Sequence, residues 1–384
     1  MKRKICVVVT ARPSYSRIQT ALKAIESHPD LELQLVVAAS ALLDRYGNTI
    51  KHILEDGFKI VAHVYMVVEG ENLVTSAKST GLGLVEIATA FDNLKPDMVI
   101  TIADRYETIA TAIAASYMNI PLVHIQGGEV TGSIDEKVRH AVTKLSNFHF
   151  VATEKAAQRV KKLGEDETDV FVTGCPSIDL AKCVLGERDL GFDPFDKYGG
   201  VGGWMDIKED FIVVMQHPVT TEYTLARAQA SETLCAIRDL KIPTLWFWPN
   251  VDAGSDGTSR EIRAFRESGD ASNMHFFKNM NGRDFLRLLM ASKCIVGNSS
   301  VAIRECSFLG VPAVNIGTRQ ANRERGRNVI DVDYDRDQIM KGVRKQIVNG
   351  HYEMDYTYGQ GDAGQRIADL VAKIPLKIEK QLTY

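Results

Sequence analysis

The sequence predicts an α/β protein made of two Rossmann-like domains, each built on a parallel sheet. Apolar, β-branched runs of strand length alternate with helically spaced stretches along most of the 384 residues, which is typical of doubly wound sheets. A segment rich in Gly, Pro and Asp interrupts this alternation once. Polar and charged residues cluster directly after the apolar runs, where parallel strands end and α/β proteins bind their ligands.

The interruption divides the chain into its predicted domains. The alternation fails between about residues 178 and 207, and such clusters of Gly, Pro and Asp are typical of loops. We therefore expect an N-terminal domain over 1–180, a linker over 181–207, a C-terminal domain over 208–361 and a C-terminal tail over 362–384. Since two such sheets present both sets of strand ends, the ligand is expected in the cleft between the domains.

The composition is that of an ordinary soluble globular protein. Apolar residues make up 45% of the chain and the formal net charge is −3, so neither nucleic acid nor a membrane is expected as a partner. No apolar run approaches the ~18 residues of a membrane span, and MKRKICVVVTARP predicts a first strand rather than a signal peptide. The six cysteines lack metal-ligand spacing. We expect a cytoplasmic protein with reduced cysteines and no bound metal.

The elements of the N-terminal domain follow from this periodicity. Strands are predicted at Lys4–Val9, Leu33–Ala39, Lys59–Met66, Met98–Ile102, Leu122–Ile125, Phe148–Ala152 and Val170–Thr173. Helices are predicted at Tyr15–Ile25, Thr49–Asp56, Leu73–Leu94, Glu107–Met118 and Glu154–Leu163, and around Asp135–Leu145.

The alternation restarts after the linker. Strands are predicted at Phe211–Met215, Thr244–Trp248, His275–Lys278, Cys294–Val296 and Ala313–Ile316. Helices are predicted at Thr221–Asp239, Ser259–Glu267, Arg283–Ala291, Val301–Leu309, Asp335–Val348 and Gly364–Ile374.

The richest group of acid–base residues surrounds two consecutive strands of the N-terminal domain. Because charged groups at neighbouring strand ends are hard to explain by packing, this region is predicted to be an active site. Its residues are Asp104 and Arg105 after the first of these strands, Gln126 and Glu129 after the second, and Asp135, Lys137, Arg139 and His140 on the following helix.

Two other segments of this domain can be considered as phosphate-binding sites. Arg12 follows the first strand and precedes a helix, so its guanidinium and nearby backbone N–H groups could meet an anion; an ordinary surface arginine explains the position equally well. Thr80–Gly83 resembles a dinucleotide fingerprint, but it lacks the third glycine and follows no strand. The resemblance to a dinucleotide fingerprint is therefore discounted.

The turn Gly297–Ser300 is better placed for a phosphate. It follows a strand and precedes the predicted helix with Glu305, so that small residues would offer N–H groups and two hydroxyls. Plain helix capping by Ser299 or Asn298 is the alternative. Glu305 would then reach the ribose diol beside that phosphate.

Three further strands of the C-terminal domain end in polar residues. His217, Asn250 and Arg319 each follow one of them, and a histidine at a strand end favours a functional role over a structural one. Arg323, Arg325 and Arg327 come soon after Arg319. These arginines could form an exposed basic loop, but Arg319 is the one at a strand end.

Together these motifs resemble a known family. TARPSYSR, ADRYET, HIQGGEVTGSIDEKVRHAVTKL, HPVTTE, PNVDAGS, GNSS and GTRQ occur in this order, and they resemble the hydrolysing UDP-N-acetylglucosamine 2-epimerases of sialic-acid-type sugar synthesis. The non-hydrolysing members have a basic HRRE-like run where this chain has HPVTTE. The resemblance implies the two-domain fold of GT-B glycosyltransferases, with a C-terminal helix that packs on the N-terminal domain.

The resemblance also implies a reaction and a set of residues. UDP-N-acetylglucosamine would lose UDP by elimination and be rehydrated to free N-acetylmannosamine, without a cofactor. The catalytic residues implied are Asp104, Glu129, Asp135, Arg139, His140 and His217. The nucleotide-sugar-binding residues implied are Arg12, Arg17, Arg105, Gln126, Asn250, Ser299, Ser300, Glu305 and Arg319. A homodimer or homotetramer is expected.

One position departs from the family pattern. Many relatives have Glu where this chain has Gln126, and a neutral amide cannot be a general base. The departure keeps open a 2,4-diacetamido-trideoxy sugar, linked to UDP or GDP, as the substrate. A non-hydrolysing epimerase, a glycosyltransferase of the same fold and a non-catalytic nucleotide-sugar sensor also stay open.

Overall fold

The structure, a computed structural model, describes residues 2–44, 49–70, 72–102, 105–131, 135–187, 189–208, 210–249 and 254–383. The chain forms two compact units. The first comprises Met1–Glu129, Ile134–Leu180 and Tyr358–Tyr384, and the second comprises Ala181–Thr357 with the short segment Val130–Ser133. None of the described helices is both long and apolar enough to cross a membrane.

The first unit is a doubly wound parallel sheet. Its strands are β1 (Arg3–Val9), β2 (Leu31–Ala38), β3 (Ile60–Val64), β4 (Met98–Ile102), β5 (Leu122–Ile125), β6 (Phe148–Val151) and β7 (Val170–Val172). Its helices are α1 (Arg12–Ser16), α2 (Gln19–Ser27), α3 (Thr49–Glu55), α4 (Leu73–Leu94), α5 (Thr108–Tyr117), α6 (Asp135–Leu145), α7 (Glu154–Lys162) and α15 (Ala363–Lys373), and α8 (Pro176–Lys182) ends just beyond it.

The strand order of this sheet is β3-β2-β1-β4-β5-β6-β7. The order reverses between β1 and β4, which pair in parallel although they are far apart in sequence. Side chains of β1 alternate between the two faces. Ile5, Val7 and Val9 pack with α2 and α15, whereas Cys6 and Val8 pack with α4 and α5. Each such buried aliphatic side chain stabilises the fold by ~1.5–3 kcal/mol.

The second unit repeats this topology. Its strands are β8 (Val201–Gly202), β9 (Ile212–Met215), β10 (Thr244–Phe247), β11 (Met274–Phe277), β12 (Cys294–Gly297), β13 (Ala313–Ile316) and β14 (Val329–Val332). Its helices are α9 (Pro194–Tyr198), α10 (Ala226–Leu240), α11 (Ser255–Glu267), α12 (Gly282–Ala291), α13 (Glu305–Leu309) and α14 (Arg336–Asn349). The order is β14-β13-β12-β9-β10-β11-β8, so it reverses between β9 and β12. Only β8 among the described strands is antiparallel, pairing with β11.

Several predicted elements need correction. The predicted helix Tyr15–Ile25 is two helices, α1 and α2, separated at Arg17 and Ile18. The predicted helix Thr221–Asp239 begins as a 3₁₀ segment, Thr220–Leu225, before α10. The segment predicted as an aperiodic linker contains α9 and β8, and the prediction also omitted α8 and β14.

A buried ionic cluster fastens the C-terminal tail to the first unit. Glu165, which is 3% exposed, accepts hydrogen bonds from His149 Nε2 at 2.9 Å, Lys144 Nζ at 2.6 Å and Lys380 Nζ at 2.5 Å. Burial alone would raise the pKa of Glu165, but these three partners outweigh it and hold the pKa at about 2.

Glu165→Gln is therefore expected to lower the free energy of unfolding by ~3 kcal/mol, because it removes one member of a buried ionic cluster. Since folding depresses the pKa of Glu165 from 4.5 to about 2, its stabilisation is complete above pH 4.5 and fades as the pH falls towards 2. Urea unfolding at a series of pH values from 7 downwards measures both the loss of unfolding free energy and its dependence on pH. The exposed Glu167, 3.5 Å from Lys161, provides the control Glu167→Gln, which should change stability by less than ~0.5 kcal/mol. If the difference in free energy of unfolding between wild type and Glu165→Gln does not shrink as the pH falls, the ionised Glu165 does not stabilise the fold in this way.

Candidate functional site

Each sheet carries one set of polar residues at the C-terminal ends of its strands, around the point where the strand order reverses. Such a switch point is where open α/β sheets bind ligands. The set of the first unit follows β1, β4 and β5 and comprises Arg12, Arg17, Arg105, Gln126, Glu129, Asp135, Arg139 and His140. The set of the second unit follows β9, β12 and β13 and comprises His217, Ser299, Ser300, Glu305 and Arg319. The predicted site residues Asp104 and Asn250 lie outside the described residues.

Two arginines, Arg12 and Arg105, follow neighbouring strands at the switch point of the first sheet. Arg12 opens α1 directly after β1, with Pro13 as its second residue. Burial, together with the positive charge of Arg105, lowers the pKa of Arg12 to about 10. Arg105 Nε also donates to Glu107 Oε1 at 2.8 Å. A diphosphate next to both arginines would relieve their mutual repulsion.

The turn after β5 is held in an unusual backbone conformation. Gln126 has φ +68° and Gly128 has φ +72°. A Cβ atom on Gly128 would lie 2.2 Å from the carbonyl oxygen of Ala156, so only glycine fits there. Gln126 is 1% exposed and its Nε2 donates to Cys175 Sγ at 2.9 Å. Its Oε1 is buried and has no hydrogen-bond partner among the described residues.

Arg139 joins this turn to α6. Its guanidinium is fully buried, and Nη1 donates to the carbonyl oxygen of Glu129 at 2.6 Å and to Glu136 Oε2 at 2.5 Å. His140 Nε2 lies 3.1 Å from Glu136 Oε1, and its side chain is 42% exposed. These contacts favour a positioning role for Arg139. Asp135 is the first residue of α6, where the helix dipole stabilises a carboxylate.

At the switch point of the second sheet, Asn298 clamps the segment that follows β9. Its Oδ1 accepts from the His217 backbone N–H at 2.7 Å, and its Nδ2 donates to the His217 carbonyl oxygen at 2.8 Å. His217 is 3% exposed. Gly297 has φ +131°, and a Cβ there would lie 2.2 Å from the Met215 carbonyl oxygen. The first two residues of the GNSS motif therefore hold β9 and β12 together.

The helix predicted at Val301–Leu309 is confirmed only over its last five residues. A 3₁₀ turn, Ser300–Ala302, is followed by Arg304 at φ −96°, ψ −75° and then by the five residues of α13. The argument from a helix dipole at Ser299 and Ser300 is therefore lost, whereas their hydroxyls and backbone groups remain. Glu305 is the first residue of α13, and its buried Oε2 accepts no hydrogen bond in the described part of the chain.

The sequence left open an exposed basic loop after β13, but two of its three arginines are held within the fold. Arg323 is 5% exposed and donates to Gln320 Oε1 at 2.9 Å. Arg325 donates to the Gln320 carbonyl oxygen at 2.6 Å and pairs with Asp331. Only Arg327 of the three is exposed. Arg319 Nη1 donates to the Asn298 carbonyl oxygen at 3.2 Å, which places Arg319 beside the GNSS turn.

Comparison with known families shows which family the chain belongs to. Residues 23–372 match the family described as UDP-N-acetylglucosamine 2-epimerase. The chain belongs to this family. It is 33% identical to the UDP-N,N'-diacetylbacillosamine 2-epimerase (hydrolyzing) of Legionella pneumophila, over 98% of this chain and 97% of that protein. It is 31% identical to the UDP-N-acetylglucosamine 2-epimerase of Neisseria meningitidis serogroup B, over 97% of this chain and 95% of that protein.

Solved structures confirm the predicted fold class. The UDP-GlcNAc 2-epimerase of Neisseria meningitidis bound to UDP-GlcNAc matches with a TM-score of 0.80 at 17% identity, over 97% of this chain and 100% of that chain. The Methanocaldococcus jannaschii enzyme in complex with UDP-GlcNAc and UDP matches with a TM-score of 0.77 at 17% identity, over 96% and 99%. The two parallel-sheet α/β units are thus those of the GT-B-like epimerase fold.

Several residues of the hydrogen-bond network around the strand ends of the second sheet were not predicted from the sequence. Asn298 appeared only as a possible cap, and Glu222 only as the last letter of HPVTTE. Thr318 and Gln229 were not singled out. The one local signal was the Asn between Gly and Ser at a strand end, because an amide side chain can both accept and donate. No group of three or more His, Cys, Asp or Glu side chains able to hold a metal occurs within the described ranges.

Ser299→Ala combined with Ser300→Ala tests the phosphate turn. Ser299 Oγ accepts from the Val301 N–H at 3.5 Å, which is too long for a strong cap. Each hydrogen bond lost to a charged ligand costs ~1.5–3 kcal/mol, so UDP affinity measured by calorimetry should fall about tenfold or more with the fold intact. Unchanged UDP affinity in a less stable protein would show that these serines serve only as caps.

Proposed function

We propose that the protein is a hydrolysing 2-epimerase that converts UDP-N-acetylglucosamine to N-acetylmannosamine and UDP. The observation that carries the hydrolysing assignment is the HPVTTE segment after β9, at the switch point of the second sheet, where non-hydrolysing members have a basic HRRE-like run. The names of relatives support it. The Legionella pneumophila relative is described as hydrolyzing, as is the GDP/UDP-N,N'-diacetylbacillosamine 2-epimerase of Campylobacter jejuni, 32% identical over 86% of this chain and 84% of that protein.

The reaction has two stages. A base removes the C2 proton while the bond between C1 and the diphosphate oxygen breaks, which releases UDP and leaves a 2-acetamidoglucal. Water then adds to C1 across the double bond, and a proton returns to C2 from the opposite face. The sum is one UDP-sugar and one water giving one free sugar and UDP. Because two faces of C2 are served, at least two acid–base groups are required.

The carboxylates of the first unit are proposed to move these protons. Asp104 follows β4 and Asp135 opens α6 after the next strand, so both belong to neighbouring strand ends. Glu129 and His140 are their proposed neighbours in proton relay, and His217 of the second unit is proposed to orient the sugar or relay a proton. Arg139 holds the Glu129 turn through its 2.6 Å hydrogen bond.

The cationic and hydroxyl groups are proposed to bind UDP. Arg12, Arg105, Ser299, Ser300 and Arg319 would stabilise the negative charge that develops on the departing diphosphate, with Arg17 and Asn250 contributing to nucleotide-sugar binding. The buried Glu305 Oε2, which has no partner among the described residues, is suited to accept hydrogen bonds from the ribose hydroxyls.

A 2,4-diacetamido-2,4,6-trideoxy sugar, linked to UDP or GDP, is the second candidate substrate. Gln126 favours it, because its buried Oε1 is an acceptor with no described partner, and a substrate amide N–H would satisfy that acceptor. The glutamate that many relatives have at this position would instead supply a charged base. The names of the Legionella pneumophila and Campylobacter jejuni relatives agree with this second candidate, because both specify N,N'-diacetylbacillosamine.

A panel of UDP- and GDP-linked sugars tests the assignment. Each sugar is incubated with the protein and the products are identified by NMR. We expect UDP-N-acetylglucosamine to give free N-acetylmannosamine. Conversion of only the diacetamido sugar would select the second candidate. A requirement for an acceptor sugar would indicate a glycosyltransferase, and UDP binding without any product would indicate a sensor.

A further inference from the structure

A ring of hydrogen bonds joins the segments that follow β9, β12 and β13; we call it the strand-end ring. Its first half contains the two hydrogen bonds between the Asn298 side chain and the backbone of His217. The Asn298 carbonyl oxygen accepts from Gln320 Nε2 at 2.9 Å and from Arg319 Nη1 at 3.2 Å. The segment after β12 is therefore bonded to both of its neighbours in the sheet.

Glu222 closes the other half of the strand-end ring. Its Oε1 accepts from Thr318 Oγ1 at 2.5 Å, and its Oε2 accepts from Gln229 Nε2 at 2.6 Å. The carbonyl oxygen of Gln229 in turn accepts from Gln216 Nε2 at 3.2 Å, and Gln216 directly precedes His217. Glu222 thus connects the segment that carries Arg319 to the segment that carries His217, and both of its carboxylate oxygens take part.

Two further features concern the backbone of Glu222 and its surroundings. Its backbone, at φ −122° and ψ 23°, departs from helical values inside the 3₁₀ segment Thr220–Leu225. Tyr334 lies against Gly317, where a Cβ would come within 2.2 Å of its ring, and its hydroxyl is 3.4 Å from Asn298 Nδ2. The pKa of Tyr334 is raised to about 12: burial raises it most, the hydrogen bond with Asn298 lowers it, and the charges of Glu222 and Arg319 raise and lower it respectively. Both charges therefore lie near the same hydroxyl.

We propose that Glu222 is a positioning residue that holds Arg319 and His217 in register through Thr318 and Gln229. The inference rests on the proposed function, because Arg319 is assigned there to the departing diphosphate. A side-chain amide in place of the carboxylate would keep both contacts: its oxygen accepts from Gln229, and its NH₂ donates to Thr318 Oγ1. The geometry of Glu222 matters for this role, whereas its charge does not.

If the geometry of Glu222 matters and its charge does not, Glu222→Ala should impair the enzyme and Glu222→Gln should not. Glu222→Ala and Thr318→Val should each lower kcat/KM ~10–100-fold, mainly through kcat, because a small misplacement of groups that act in the transition state costs about this much. Glu222→Gln should stay within about threefold of wild type. The double variant Glu222→Ala with Thr318→Val should be no worse than Glu222→Ala alone, since both remove the same contact. Glu261→Ala, which removes a carboxylate paired with the exposed Arg227, is the matched control and should not change kcat/KM.

Steady-state kinetics of UDP release, with thermal unfolding of each variant, provide the test. Glu222→Gln as defective as Glu222→Ala would overturn the inference, because the charge would then act directly. Wild-type kinetics for Glu222→Ala would also overturn it. Should Glu222→Ala fail to fold, Thr318→Val still decides, since wild-type kinetics there contradict the role of the contact. Failure of the proposed function is distinguishable, because it would appear as absent turnover in the wild-type protein itself.

Discussion

Asp135→Asn should lower turnover ~10²–10⁴-fold, the usual contribution of general acid–base catalysis. Asparagine keeps the shape and hydrogen bonding of Asp135 at the start of α6 but removes its basicity. UDP affinity should stay close to wild type, because a carboxylate does not favour binding of a diphosphate. Turnover is followed by UDP release, and UDP affinity by calorimetry.

The same change at Asp104 completes this test. The control is Asp337→Asn, since Asp337 is also a carboxylate in the first turn of a helix, α14, and it is exposed. Asp337→Asn should leave turnover unchanged. At least one of Asp104→Asn and Asp135→Asn should lose turnover while it retains UDP binding. If both variants work normally, the catalytic carboxylate lies elsewhere, and Glu129 becomes the first candidate.

Arg12→Met should lower kcat/KM ~10²-fold or more, because it removes charge-assisted hydrogen bonds that each contribute ~1.5–3 kcal/mol. The guanidinium lies close enough to Arg105 for the two charges to repel, so a bound diphosphate gains from both. UDP affinity should fall in the same variant, unlike in Asp135→Asn. Kinetics and calorimetry on the same preparation separate the two effects.

The exposed Arg227, paired with Glu261 at 2.6 Å, provides the control Arg227→Met. It should leave both UDP affinity and kcat/KM unchanged. Wild-type UDP affinity in Arg12→Met would contradict a diphosphate role for Arg12 and leave it as an ordinary cation at a helix start.

Much of the fold could be predicted from local pattern. The apolar runs at Met98–Ile102, Leu122–Ile125 and Ala313–Ile316 are strands with the predicted bounds, because continuous apolar runs are typical of strands buried on both faces. β8 could not be found this way. Its two residues, Val201 and Gly202, are exposed and lie in a Gly-rich segment, and they form a strand only by pairing with β11.

The candidate site could also be predicted only in part, because local pattern identifies some of its residues and long-range contacts identify the others. Residue type after an apolar run was enough to single out Arg12, Glu129, His217 and Arg319, since strand ends share one edge of a sheet. The contact of Glu222 with Thr318 joins residues far apart in the chain, and no periodicity relates them. The broken helix after Ser300 was missed for a related reason, because helical spacing in the sequence does not reveal the backbone break at Arg304.

The most direct test of the proposed reaction is the fate of C2 and of UDP when the protein acts on UDP-N-acetylglucosamine in D₂O. NMR of the mixture should show free N-acetylmannosamine with deuterium at C2 and one equivalent of UDP. Deuterium is expected because the proton that returns to C2 comes from solvent after the elimination. A 2-epimerised sugar still attached to UDP, or a free sugar that retains its original C2 proton, would contradict the proposed hydrolysing epimerase.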